Sequence, residues 1–529
     1  MTDREWWRTA VVYQIYVRSF SDSDGDGIGD LEGVRARLDH LAALGVDALW
    51  FTPWYPSPLL DGGYDISDHR AIDPRLGTLG DAEALIAEAS ERGIRTIIDV
   101  VPNHVSEQHP WFQEALASPP GSAARQRFWF RKGRGPGGEL PPTEWVSQFG
   151  GETWTRVPDG EWYLHLFDAS QPDLNWGHPD VWADFDQTLR FWFDRGVAGV
   201  RVDSAVLPMK DPALPEVGDH TPGSHPFEDR EENHELYRHW RRIADEYEGR
   251  MLVGEVWLPT PERSVRYLRA DEMHTAFNFD LMTQPWDASA MRASIDATRA
   301  AHDIVGAPAT WVLSNHDVTR PVTRYGREES GFSFTTKRFG VPSDPVRGRR
   351  RARAAALLVA ALPGSLYVYQ GDELGLEEVD LPREAITDPM HFRTGGVDPG
   401  REGCRVPLPW SGDRPPYGFG PGRETWLPQP DGWADRTVEA QRADPGSMLS
   451  LYVAALRIRR RELVATDEFR WLSTGDRSVL AFSRGRITCL VNLGDEPAPL
   501  PPGSVVLASG SVEDGDLHPD DAVWLTTGL

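Results

Sequence analysis

Three carboxylates, Asp203, Glu255 and Asp317, follow or end apolar runs that read as buried strands. Arg201 lies two residues before Asp203, so on an extended strand both side chains point the same way. Its positive charge is expected to keep Asp203 ionised. Glu255 follows the run MLVG and precedes Trp257, a less polar setting that favours the protonated acid. An ionised and a protonated carboxylate together suit glycosidic bond cleavage with retention. One attacks the anomeric carbon while the other protonates the leaving oxygen. Asp317 would then hold the hydroxyls of a distorted ring.

These residues need a frame that brings distant segments together. Short β-branched runs at residues 11–16, 48–51, 96–101, 199–202, 251–254, 311–313 and 365–369 read as buried parallel strands, with an eighth at 275–279. Segments 30–44, 81–92, 181–194 and 234–246 between them have helical spacing. The alternation predicts an α/β fold, a (β/α)8 TIM barrel. Polar residues fall at the C-terminal ends of the strands: Asp99, Asn103 and His104; Arg201 and Asp203; Glu255; Asn315, His316 and Asp317. That end of a barrel is where active sites are built.

The alternation stops after the third strand, where pieces such as GSAARQ and RKGRGPGGELPP form a stretch too long for one loop. The expected organisation is a first barrel part at 1–104, an inserted small domain at 105–171, a second barrel part at 172–463 and a C-terminal antiparallel β-sandwich domain at 464–529. Loop 22–30 reads Asp22, Ser23, Asp24, Gly25, Asp26, Gly27, Ile28, Gly29 and Asp30. Alternate carboxylates with glycines allow a turn that wraps oxygens around a hard cation, and calcium is the expected structural ion. The loop is not an EF-hand, because the twelfth position from Asp22 is Gly33. No organic cofactor is expected.

The chain has 529 residues and a formal charge of −26, which argues against nucleic acid or an anionic membrane as partner. Two cysteines, Cys404 and Cys489, are too few for a disulfide framework and read as buried thiols. No secretory signal or membrane-length apolar run is apparent, so a cytoplasmic location is expected. The 21 tryptophans suit stacking on sugar faces as well as filling a core.

The ordered motifs DVVPNH (99–104), GVRVD (199–203), GEVW (254–257) and SNHD (314–317) resemble those of the α-amylase superfamily of glycoside hydrolases. YQIYVRSF (13–20), GYDI (63–66) and QPDLN (171–175) are similar to its α-glucosidase and oligo-1,6-glucosidase branch. The resemblance implies Asp203 as nucleophile, Glu255 as general acid/base and Asp317 as transition-state stabiliser. It implies glucose contacts from His104, Arg201 and His316, with Tyr64 stacking on the ring and Phe149, Phe167 and Gln171 lining the pocket. Asp65 with Arg401, or alternatively Arg405, would grip the non-reducing end. The metal set would be Asp22, Asp24, Asp26, the Ile28 carbonyl and Asp30. Ser204, small where α-1,6-preferring relatives carry Val, implies a preference for α-1,4 bonds.

The implied activity is a retaining exo-α-glucosidase acting on maltose and short malto-oligosaccharides. The alternatives are a glucosyl transferase or isomerase of the trehalose synthase, amylosucrase or sucrose isomerase type, an α-1,6-preferring glucosidase, and a non-catalytic scaffold. The partner is a small oligosaccharide, and the oligomeric state is left open.

Overall fold

The structure, a computed structural model, describes residues 3–221, 223–512 and 515–526. Residues 1–2 and 527–529, at the ends of the first and last expected segments, lie outside the described residues.

Eight parallel strands close into a barrel: Val11–Ile15, Ala48–Phe51, Arg95–Val100, Gly199–Val202, Met251–Gly254, Thr275–Asn278, Thr310–Val312 and Ser365–Tyr369. Almost every strand residue is buried, as expected for strands packed on both faces. The outer ring includes Leu79–Glu91, Pro179–Asp194, Glu232–Asp245, Ala288–Val305 and Pro345–Ala361. Local signals fix their starts. Thr78 and Asp81 form a reciprocal capping box, and Asp287 accepts the backbone N–H of Ala290. Helix Pro179–Asp194 buries Val181, Phe185, Leu189 and Trp192 along one stripe.

Register sets the level of the site. Asp99 pairs with Arg201 across the third and fourth strands, and Val202 pairs with Gly254 across the fourth and fifth. The residues that follow, Asp203 and Glu255, therefore leave the sheet side by side.

The insertion after the third strand carries a three-stranded antiparallel sheet, Phe130–Lys132, Glu161–Leu164 and Trp154–Arg156, with Glu161–Leu164 central. Bridges His104–Asp173 and Phe128–Leu174 close its base. At the C-terminus, Arg470–Trp471, Val479–Arg484, Ile487–Asn492, Ala522–Thr526 and Ser504–Ala508 form a five-stranded antiparallel sheet. The expected second layer of the sandwich is reduced to a two-stranded ribbon, Ala498–Pro499 with Asp516–Leu517. Leu517 packs with Ala481, Leu490, Val523 and Leu525 on one side of the larger sheet. The Trp524 indole donates to the Leu357 carbonyl (3.2 Å), tying the sheet to helix Pro345–Ala361. That helix supplies much of the apolar surface a full second sheet would otherwise provide.

Among the described residues no helix is long and apolar enough to cross a membrane. Cys404 and Cys489 are both buried free thiols.

Candidate active site

A cavity of about 400 Å³ opens at the C-terminal end of the barrel, within the usual size of a small-molecule pocket. Asp203, Glu255 and Asp317 all line it, with Tyr64, His104, Phe149, Phe167 and Arg401.

Arg201, 1% exposed, is the centre of the charge network. Its Nη1 lies 2.6 Å from Asp203 and 2.9 Å from Asp99, and its Nη2 lies 2.7 Å from Glu255. Two nitrogens of one planar guanidinium thus hold Asp203 and Glu255 close together, as a retaining pair requires. Glu255 also accepts the Ser204 backbone N–H (2.8 Å) and the Trp257 indole N–H (3.1 Å), and Trp257 stacks on Phe279 with ring centroids 3.9 Å apart. The Tyr64 hydroxyl donates to Asp99 (2.9 Å) while its ring stacks on His316.

Burial raises Glu255 to about 7, with Asp203 and Asp317 adding to the shift against the pull of Arg201. The same cause lifts Asp203 to about 6, where Asp99 reinforces burial and Arg201 opposes it. Arg201 was expected to keep Asp203 ionised; with one guanidinium divided among three carboxylates in a dry site, it does so only above about 6. Glu255 still holds its proton more tightly than Asp203, the order that acid and nucleophile require. Asp317 behaves oppositely. Burial would raise it, but His316, Arg401 and Arg405 outweigh burial and keep it ionised.

The expected grip on the non-reducing end is corrected at one residue. Asp65 is fully buried away from the cavity, accepting the Ser57 hydroxyl (2.7 Å) and the backbone N–H groups of Leu60 (2.9 Å) and Asp61 (3.2 Å). It shapes the turn that presents Asp61, and Asp61 is the carboxylate on the wall. Arg401 pairs with Asp61 (2.5 Å), is braced by Asp388 (2.7 Å), and reaches Asp317 (3.4 Å). Arg405 lies behind, 2.6 Å from Asp317, with its Nε on the His316 carbonyl (2.7 Å). Of the two candidate arginines, Arg401 faces the cavity.

Three other expected contact residues also stand behind the wall. Gln171 donates to Asp61 (2.8 Å) and meets the His104 Nε2 (3.0 Å), so it positions both. Arg201 acts through its three carboxylates. His316 lies under Tyr64, its Nδ1 2.6 Å from Gln14 and its Nε2 3.5 Å from Asp317. His104 lines the cavity through its ring, and burial beside Lys210 holds it neutral, at about 3. Lys210 itself is buried against Asp173 (2.8 Å) and donates to Asn103, tying the loop after the fourth strand to the insertion.

Sequence reasoning also passed over Glu228, Phe334 and Met390 on the wall. Glu228 lies in an irregular loop, and Phe334 and Met390 lie in helical segments of three and five residues, none of which carries a motif. Asp61 did leave a signal, as a second acid in the turn DGGYD, but spacing alone does not say which acid faces inward.

In the loop at 22–30, carboxylate oxygens of Asp22, Asp24 and Asp30 lie within 4.8 Å of one another. Asp26 does not join that group. Its Oδ1 accepts the Ile28 N–H (2.8 Å), and burial together with the nearby Asp24, Asp22 and Asp30 raises it. The set is all oxygen and carries no ion pair to a basic side chain among the described residues, which suits a hard cation.

The α-amylase catalytic-domain family model matches residues 14–467 and a domain of unknown function, DUF3459, matches residues 462–524. The chain belongs to the α-amylase family of glycoside hydrolases. Relatives in this family include a probable α-glucosidase of Rhizobium meliloti, 37% identical over 94% of this chain and 91% of its own. A trehalose-6-phosphate hydrolase of Escherichia coli is 36% identical over 87% and 85%, and an oligo-1,6-glucosidase of Parageobacillus thermoglucosidasius is 33% identical over 91% and 88%. Among solved structures, the α-glucosyl transfer enzyme XgtA superposes with a TM-score of 0.85 at 33% identity, covering 98% of this chain and 99% of its own. The trehalulose synthase MutB from Pseudomonas mesoacidophila does so with 0.85 at 28%, over 98% and 99%.

Proposed function

We propose that this glycoside hydrolase is a retaining, exo-acting α-glucosidase that releases α-glucose from the non-reducing end of maltose and short α-1,4 malto-oligosaccharides. The observation that carries the proposal is the buried Asp61–Arg401 pair at one end of the cavity, braced by Asp388 and Asp317. A chain end fits against such a floor, and the middle of a polymer does not. Asp61 and Arg401 bind the far hydroxyls of the terminal glucose, and Tyr64 and Phe167 pack on its faces.

Asp203 attacks the anomeric carbon as Glu255 gives its proton to the departing oxygen, so the glycosidic bond breaks and a glucosyl ester forms. Glu255, now a carboxylate, takes a proton from water as that water attacks the same carbon. Asp203 leaves, and glucose emerges with the α configuration. The ionised Asp317 holds ring hydroxyls more strongly as the ring flattens. Asp22, Asp24 and Asp30 would hold a calcium ion remote from this chemistry, supplying charge neutralisation to their loop.

Ser204 supports the α-1,4 preference, because its short side chain leaves room beside Asp203. The test is timed product analysis on maltose, maltotriose, isomaltose, sucrose and trehalose. Free glucose as the first product of maltose, with glucose and maltose from maltotriose, supports the proposal; new disaccharides with little glucose favour the transferase reading. Ser204→Val should move the maltose-to-isomaltose rate ratio toward isomaltose, and an unchanged ratio would remove this basis for the linkage preference.

A further inference from the structure

The charges that line the cavity are used in different ways. At the floor, Asp61, Arg401 and Asp388 neutralise one another. The wall also takes Val206, Leu207 and Glu228 from the segment after Asp203. The Glu228 carboxylate, half-buried on this wall, makes no hydrogen bond or ion pair with the described residues. Its backbone is nonetheless fixed. The Glu228 N–H donates to His225 Nδ1 (3.0 Å), and Asp229, at φ 49°, donates its N–H to the Val206 carbonyl (2.9 Å). The Asp229 carboxylate takes Arg263 Nε (2.7 Å) and the Tyr267 hydroxyl (2.9 Å). Arg263 belongs to the stretch that follows Glu255 and Trp257, and both of these line the same cavity as Glu228.

A strained backbone and a salt bridge that hold an unpaired carboxylate at a pocket wall have a use when that carboxylate meets a ligand. Among the described residues lining the cavity, Arg401 is the one lysine or arginine, and its nitrogens are committed to acids at the floor. A phosphate on the leaving sugar would find no guanidinium or ammonium there and would face Glu228. We propose that Glu228 selects the leaving group, accepting hydrogen bonds from the hydroxyls of an uncharged sugar and repelling a sugar phosphate. The inference rests on the glucosidase reading above and names its substrate class: neutral glucosides.

The test compares maltose with maltose phosphorylated at C6 of the reducing glucose, and trehalose with trehalose 6-phosphate. In each pair one unmodified glucose occupies the same subsite. Substrate disappearance gives the ratio of kcat/KM, and the products separately report hydrolysis or transfer. The wild type should favour the neutral member of each pair at least about tenfold. Glu228→Gln should narrow that ratio several-fold, Glu228→Asp should largely restore it, and added salt should narrow it more in the wild type than in Glu228→Gln. Equal or faster cleavage of the phosphorylated sugars, or a ratio unmoved by Glu228→Gln, would overturn the role of Glu228 and leave the glucosidase reading standing. Disappearance of none of the four sugars would remove both.

Discussion

The molecule carries two groups of carboxylates, and they are neutralised in different ways. At the barrel end, Asp99, Asp203 and Glu255 share Arg201, while Asp317 sits against Arg401 and Arg405. In the loop at 22–30, Asp22 accepts backbone N–H groups from Asp24 (3.0 Å), Gly25 (2.6 Å) and Gly27 (3.0 Å), and Asp30 accepts from Ser23 (2.8 Å) and Gly33 (2.6 Å). Burial, opposed by the shared Arg201, brings three acids to similar proton affinities, about 6 for Asp99 and Asp203 and about 7 for Glu255, a balance suited to proton transfer. Peptide N–H groups hold acids in place without cancelling their charge. What remains is a cluster of carboxylate oxygens, the place where a calcium ion is proposed.

The contrast breaks most visibly at Glu255. Glu255→Gln removes the transferable proton and keeps the shape, so kcat/KM on maltose should fall about 10²–10⁴-fold. The fall should be much smaller on an aryl α-glucoside, whose leaving group needs no proton; equal losses on both would show that Glu255 is structural. A milder perturbation is pH. The nucleophile must be ionised, so kcat/KM should fall as pH drops through about 6, where Asp203 protonates. The acid must be protonated, so it should fall again as pH rises through about 7, where Glu255 loses its proton. A plateau extending well above pH 8 would contradict the assignment of the acid. The smallest effect belongs to the loop. Chelation, or Asp22→Asn, should lower Tm by a few degrees and leave both limbs of the pH profile in place. A shifted limb would mean that the two groups of acids are coupled.

The barrel was legible because its strands are short, β-branched and buried on both faces, and because polar residues gather at their ends. The convergence of Asp203, Glu255 and Asp317 on one cavity was legible for the same reason, since each ends or follows such a strand. The floor was half legible. Asp61 and Asp65 flank the same two glycines and Tyr64, and only the fold of the turn, with Gly62 at φ 60° and Gly63 at φ 111°, decides that Asp65 faces its own loop and Asp61 the cavity. Asp203 shows a different limit. Its neighbour Arg201 was correctly placed, but the pull of one charge divided among three acids is a property of packing, not of spacing. Glu228 and Met390 left no pattern at all, because an irregular loop and a five-residue helix are too short to show a period.

In the proposed mechanism Asp203 forms the bond to the anomeric carbon. The direct measurement is trapping with 5-fluoro-α-glucosyl fluoride, from which Asp203 displaces fluoride to give an ester that hydrolyses slowly. Mass spectrometry of the digested protein should find the fluoroglucosyl group on the peptide containing Asp203, and on no peptide of the Asp203→Asn variant. A label on another carboxylate, or β-glucose as the first anomer released from an aryl α-glucoside, would contradict it.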